Sequence, residues 1–141
     1  MPHTKMNDPV KRGASEAHSG GARVLLIDDD PTFSHLARVH LERAGHRVSV
    51  HPGSFGVLGA LRREPYDVIL VDMCMPYIDG CRLLSVLRKR GLKPAVLVLV
   101  SAAAEVEVRS AAARHGADLC FCKRWGFLEL TSLVDEMAPS R

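Results

Sequence analysis

Apolar residues fall along this chain in two alternating rhythms. Short, nearly continuous apolar runs occupy 23–27, 47–50, 68–71, 95–100 and 118–122, and longer segments between them carry apolar residues three and four apart. Runs without alternation, clearest at 68–71 and 95–100, predict strands buried on both faces of a parallel sheet. The longer segments carry helix start and stop signals. Asp30 before Pro31 predicts an N-cap and first turn, Leu36, Val39, Leu41 and Ala44 supply an apolar stripe, and Gly45 suits the left-handed position after the helix. The same reading predicts helices over 54–64, ended by Pro65, over 79–90, ended by Gly91, and over 104–115, ended by Gly116. A last helix is predicted over 127–137, where Phe127, Leu130, Leu133, Val134 and Met137 recur at helical spacing.

Strict alternation of five strands and five helices predicts an α/β fold. Each parallel connection needs a right-handed crossover, so the expected architecture is a five-stranded parallel sheet with helices on both faces, doubly wound. Ligands of such sheets sit at the carboxyl ends of the strands. The polar residues with chemical potential stand there: Asp28, Asp29 and Asp30 follow the first run, Asp72 the third, Ser101 the fourth and Lys123 the fifth.

Length and composition set the frame for that reading. The 141 residues leave room for one domain, and 47% hydrophobic with 25% charged residues is globular composition. Nineteen Lys and Arg against sixteen Asp and Glu give a formal charge of +3, too small to argue nucleic-acid binding unless the excess is gathered on one face. No apolar run approaches the roughly 20 residues of a membrane helix. Residues 1–21 carry scattered Gly, Pro and charge with no apolar period, which predicts a flexible leader, a domain over 22–138 and a tail over 139–141. The leader does not read as a secretory signal, so the four cysteines are expected to be reduced thiols and the protein cytoplasmic.

Three consecutive aspartates facing a fourth carboxylate across a sheet edge repel one another unless something neutralises them. Asp30 alone suffices as a helix cap, which leaves Asp28, Asp29 and Asp72. An all-oxygen set suits Mg²⁺, whereas Zn²⁺ favours His and Cys. With the ammonium of Lys123 and the hydroxyl of Ser101 on the same rim, the residues describe a phosphoryl pocket in which Asp72 is placed as the nucleophile.

The segments "VLLIDDDP", "DVILVDMCMPYIDG", "AVLVLVSA" and "GADLCFCK" follow one another as in the receiver domain of bacterial two-component response regulators, which the chain resembles from about Arg23 to Met137. The resemblance implies a flavodoxin-like, chemotaxis-regulator-like fold with strand order 2-1-3-4-5. It places the phosphoacceptor at Asp72 and the magnesium ligands at Asp29, Asp72 and the backbone carbonyl of Cys74, with Asp28 acting on the metal through water. It matches Ser101, the backbone N–H of Ala102 and Lys123 to the groups that follow the phosphoryl oxygens. The implied function is a single-domain response regulator that takes its phosphoryl group from a histidine kinase or phosphotransfer protein and signals by docking to another protein. On this reading it touches neither nucleic acid directly nor membrane, and it is not an enzyme for an external substrate. The alternatives are a receiver-like interaction module that does not use phosphorylation, or the receiver fragment of a larger regulator or hybrid kinase.

The sequence departs from the family pattern in places. Receivers usually carry a proline after the lysine, but here Arg124 and Trp125 follow Lys123, so a trans bond and another path for the loop are expected. The aromatic that reports phosphorylation in many receivers falls on Cys120, with Phe121 or Trp125 as substitutes. Two positions that tune phosphoryl lifetime in the family fall on Cys74 and Ala103, neither suited to holding a water, which implies slow hydrolysis of phospho-Asp72. Cys120 and Cys122 lack further ligands at zinc spacing, and His35 and His40, five apart, fall on different faces of one helix. The basic pairs and triplets at 62–63 and 88–90 read as solvated helix ends that offset the helix dipole. A flavin protein is disfavoured because carboxylates replace the phosphate-binding loop, no Gly-x-Gly-x-x-Gly or Walker loop occurs, and a haloacid-dehalogenase-like phosphatase would need an aspartate where Cys74 stands.

Overall fold

Each apolar run forms a strand, and each amphipathic segment returns as a helix. The computed structural model describes residues 20–75, 79–90 and 95–139. Its elements are β1 (Arg23–Ile27), α1 (Pro31–Arg43), β2 (Arg47–His51), α2 (Val57–Arg63), β3 (Val68–Asp72), α3 (Gly80–Lys89), β4 (Val96–Ser101), α4 (Glu105–His115), β5 (Leu119–Cys122), a short 3-10 turn (Lys123–Trp125) and α5 (Phe127–Met137). The strands pair in parallel in the order β2-β1-β3-β4-β5, the order implied by the resemblance. Apart from Gly20 and Gly21 the predicted leader lies outside the described residues, as do Gly91 and most of the predicted tail.

Two apolar layers sandwich the sheet. Val24, Leu26, Val68, Leu70, Val98 and Val100 face α1 and α5 through Phe33, Ala37, Leu41, Leu130 and Val134. Leu25, Ile27, Ile69, Val71, Leu97 and Leu99 face α2, α3 and α4 through Val57, Leu83, Leu84, Leu87 and Ala112. All five residues of β3 are buried, which is why its sequence has no polar alternation. Among the described residues no helix is long and apolar enough to cross a membrane.

Local signals account for most boundaries. Asp30 Oδ1 accepts the N–H groups of Thr32 (3.1 Å) and Phe33 (3.2 Å), so Asp30 caps its helix as expected, and Asp79, predicted to be the first helical residue, instead caps α3 by accepting the N–H of Arg82 at Oδ1 (2.8 Å). Gly116, at φ 89°, ends α4. The predicted helix at 54–64 is corrected to Val57–Arg63, because Gly56 adopts φ 82°, a left-handed geometry that a helix cannot propagate through.

Aspartates and a histidine hold the far end of the sheet. Asp67 accepts the N–H of Arg23 and Asp118 that of Leu97, each at 2.8 Å, so both seal strand ends. His46 is buried; its Nδ1 accepts the N–H of Ala22 (2.9 Å), which leaves Nε2 to donate to Asp135 (2.8 Å). That single ring ties the start of β1 to α5.

Candidate functional site

Neighbouring strand ends bring the predicted residues together. β1 and β3 are adjacent, so the carboxylates that follow Ile27 and end β3 meet at one rim, with Ser101 one strand further and Lys123 two. Asp28, Asp29 and Asp72 each offer an oxygen such that all three atoms lie within 4.8 Å of one another. Asp28 and Asp72 are buried while Asp29 is exposed, so the cluster opens to solvent on one side. Asp30 is diverted to its helix cap, and only its Oδ2 approaches the cluster's cation, 4.0 Å from Lys123 Nζ.

The cation sits closest to the wall of the pocket. Lys123 Nζ lies 2.9 Å from Asp28 Oδ2 and 3.9 Å from Asp72 Oδ1, with its side chain largely buried and its ammonium 4.5 Å from the centre of the Phe33 ring. Lys123 opens the 3-10 turn Lys123–Trp125, which delivers its ammonium to the carboxylates. Asp28 Oδ1 accepts the N–H of Asp30 at 2.9 Å, whereas the buried Asp28 Oδ2 is close to Lys123 without hydrogen-bond geometry and has no hydrogen-bond partner.

Asp72 carries the electrostatic consequence. Burial, first, and the neighbouring Asp28 charge raise its pKa from the usual carboxylate range to about 7, with a smaller push from Asp29; Lys123 and a hydrogen bond from the Cys74 backbone N–H act against them. A carboxyl group so crowded gains from any added cation. The donor set is wholly oxygen, includes a buried oxygen without a hydrogen bond, and faces water on one side, which fits a hard dication that keeps some of its waters.

The remaining predicted residues line the same rim. Ser101 is buried, and its Oγ accepts the N–H of Ala103 at 3.0 Å, leaving its own hydrogen uncommitted among the described residues. Ala102 is exposed beside it, and Cys74 is exposed two residues beyond Asp72. The four cysteines are free, and burial pushes the thiols of Cys81, Cys120 and Cys122 up, away from the thiolate a redox or zinc site would use. Of the two aromatic substitutes, Phe121 is buried and meets Trp125 edge to face at 5.5 Å, and the Arg109 guanidinium lies 5.9 Å from the Trp125 ring centre. Arg109, Ala112, Cys120, Trp125 and Leu133 line a groove of about 790 Å³ between α4 and α5.

One residue of the site escaped sequence reasoning. Gly80 opens α3 directly against the end of β3: its N–H donates to Met73 O at 2.9 Å, and a Cβ on it would overlap the Asp72 carbonyl. Met73 N–H in turn donates to Val100 O at 2.7 Å. The signal was the Asp79-Gly80 pair itself, in which a capping aspartate is followed by a poor helix former with no local need for glycine.

Comparison with known proteins agrees with this geometry. Residues 24–135 match the response regulator receiver domain family. The chain is 35% identical over 116 residues to the transcriptional activator protein PfeR of Pseudomonas aeruginosa, covering 82% of this chain and 37% of PfeR. It spans roughly a third to a half of the length of the curated transcriptional regulators it matches. Among solved structures, the receiver domain of the Francisella response regulator 1452 superposes with a TM-score of 0.74 at 27% identity, covering 83% of this chain and 96% of that one. TrrA of Thermotoga maritima, solved in complex with Mg²⁺ and a beryllium fluoride, superposes with a TM-score of 0.71 at 25% identity, covering 82% and 97%.

Proposed function

Because the chain belongs to the response regulator receiver domain family of two-component signalling, we propose that it takes a phosphoryl group onto Asp72 from a histidine kinase or phosphotransfer protein. The observation that carries this reading is the position of Asp72: a buried strand-end carboxylate flanked by Asp28 and Asp29, with a lysine ammonium 3.9 Å away. In the transfer, an Asp72 oxygen forms the new O–P bond as the N–P bond of the phosphohistidine breaks, and the departing imidazole nitrogen takes a proton. Asp29 and Asp72 through their side chains and Cys74 through its carbonyl would hold Mg²⁺, with Asp28 acting through water. The bound ion would offset the charge on the phosphoryl oxygens.

The chain's own residues do the rest. Lys123 supplies the second positive charge, and Ser101 O–H and the N–H of Ala102 donate to the phosphoryl oxygens. Nucleophilic attack needs Asp72 ionised; burial and Asp28 oppose this by raising its pKa, while Lys123 favours the reactive form, as a bound dication would. The phosphorylated domain, 22–138, would then signal by docking to a protein target through a surface that changes with the state of the pocket, in the cytoplasm where the kinase acts.

Acetyl phosphate with Mg²⁺, read by intact mass, tests the reading. We expect one phosphoryl group to be gained by the wild type and none by Asp72→Asn or in the presence of EDTA. If the wild type gains none from acetyl phosphate or from a phosphorylated donor, the chain is an interaction module of receiver shape and this reading fails.

A further inference from the structure

In a parallel sheet every crossover helix runs back against the strands, so helix C-termini collect at the end of the domain opposite the carboxylate pocket. In this chain those ends are cationic. Arg62 and Arg63 close α2, Arg88 and Lys89 close α3 with Arg90 as its cap, and Arg114 stands in the last turn of α4. All six side chains are exposed. Because α2, α3 and α4 cover the same face of the sheet, the six cations form a stripe along one edge. Neighbouring helices pack about 8–10 Å apart, so three helix ends extend over roughly 20 Å.

Little acid opposes the stripe. Glu64 is held by Arg23 at 2.8 Å, and Asp118 pairs with Arg88 at 3.0 Å while sealing the N–H of Leu97. Among the described residues, Arg62, Arg63, Lys89, Arg90 and Arg114 form no ion pair. Asp135 and Glu136 close α5, which packs on the other face of the sheet. The pocket end carries Asp28, Asp29, Asp30, Asp72, Asp79, Glu105 and Glu107. Among the described residues fourteen Lys and Arg meet fourteen Asp and Glu, so the charges of the two ends cancel, and the chain's formal +3 comes from residues outside them.

We propose that this stripe binds the phosphate backbone of nucleic acid without reading its sequence. Five of the six cations are arginines, whose planar fork matches phosphate oxygens. The most exposed large apolar residues among those described, Phe55, Val106 and Leu128, lie near the pocket end, before α2 and in the first turns of α4 and α5; beside the stripe only Val86, in the last turn of α3, is exposed, and only to 37%. Among the described residues the stripe thus offers one part-exposed valine, too little apolar surface to enter a bilayer or to form the dry centre of a protein interface. A row of exposed guanidinium groups without an apolar anchor suits a long polyanion held by charge alone.

Fluorescence anisotropy with a labelled DNA duplex of arbitrary sequence, about 20 base pairs long and at about 50 mM salt, tests the proposal. If four cations engage phosphates, log K falls against log salt with a slope of about −3.6, so a fourfold rise in salt weakens binding about 150-fold. The double variants Arg62→Glu with Arg63→Glu, and Lys89→Glu with Arg90→Glu, are expected to bind at least about tenfold more weakly and with a shallower slope. Their circular dichroism and their Mg²⁺-dependent labelling at Asp72 should match the wild type. Absent binding at low salt, variants that bind like the wild type, or preference for phosphatidylserine vesicles or polyglutamate over the duplex would each overturn it.

Discussion

Lys123 Nζ stands 2.9 Å from Asp28 Oδ2 and a full ångström farther, 3.9 Å, from Asp72 Oδ1. The ammonium is therefore anchored on Asp28 and approaches Asp72, the proposed phosphoacceptor, only as a near neighbour. It occupies the charge deficit that a dication would also fill, so the two cations would compete for Asp28 through space.

Removing that competitor strengthens metal binding. Lys123→Met deletes one positive charge a few ångströms from the carboxylates, and at the effective dielectric of a partly buried site this amounts to more than 1 kcal/mol. We expect Mg²⁺ affinity, measured by calorimetry at neutral pH, to rise about tenfold, while the metal-free protein loses stability. Weaker Mg²⁺ binding by the variant would show that the ammonium positions the carboxylates more than it competes with the ion.

The raised pKa of Asp72 fixes the sign of a pH effect on stability. Between the ordinary 3.8 and about 7 the folded state holds a proton that the unfolded chain has released. Stability in EDTA therefore falls as pH rises through that window, and the cost of ionising Asp72 is fully present above it. A rise of this size corresponds to at most about 4 kcal/mol at 1.36 kcal/mol per pH unit. Asp72→Asn should accordingly be more stable than the wild type by about 2 kcal/mol at pH 8 and by less than about 1 kcal/mol at pH 5, as judged by urea unfolding. A stability difference of the same size at both pH values would contradict the burial and Asp28 repulsion assigned to this carboxyl.

Gly80 is predicted to tolerate no side chain. A Cβ there meets backbone on β3, which cannot move aside as a flexible side chain would, so Gly80→Ala should cost about 3 kcal/mol and slow labelling of Asp72. Gly59→Ala is the control, since its Cβ would meet only the Arg63 side chain at 3.5 Å. Equal stability of the two variants would count against the close approach of α3 to β3.

The fold was legible because its signals are local. Continuous apolar runs marked β3 and β4, and the Asp30-Pro31 pair marked the start of α1, as it does in the structure. The pocket was legible because a parallel sheet gathers strand ends, so Asp28, Asp72, Ser101 and Lys123 needed only the correct strand order to meet. What escaped was set by contacts between distant segments. His46 reaches Asp135 across 89 positions and reads in sequence as an unremarkable loop residue. Gly80 is required by the backbone of β3, and the late start of α2 follows from the left-handed Gly56. The basic stripe was averaged away by a net charge that cancels its acidic opposite end.

The lifetime of the phosphorylated state is the last expectation that the site carries. Hydrolysis of phospho-Asp72 needs a water held in line with the O–P bond, and on the family's pattern the side chains two residues beyond Asp72 and two beyond Ser101 hold it. Here these are the exposed Cys74 and the partly exposed Ala103, whose N–H is already given to Ser101 Oγ. A thiol is a weak hydrogen-bonding group and a methyl is none, so neither orients a water. The phosphorylated form should persist for minutes or longer, followed as decay of the phosphorylated mass after removal of the donor. Cys74→Asn or Ala103→Glu should shorten its lifetime several-fold, because each restores an acceptor without touching the carboxylates or Lys123. Decay within seconds, unchanged by either substitution, would mean that water is positioned by groups other than these two side chains.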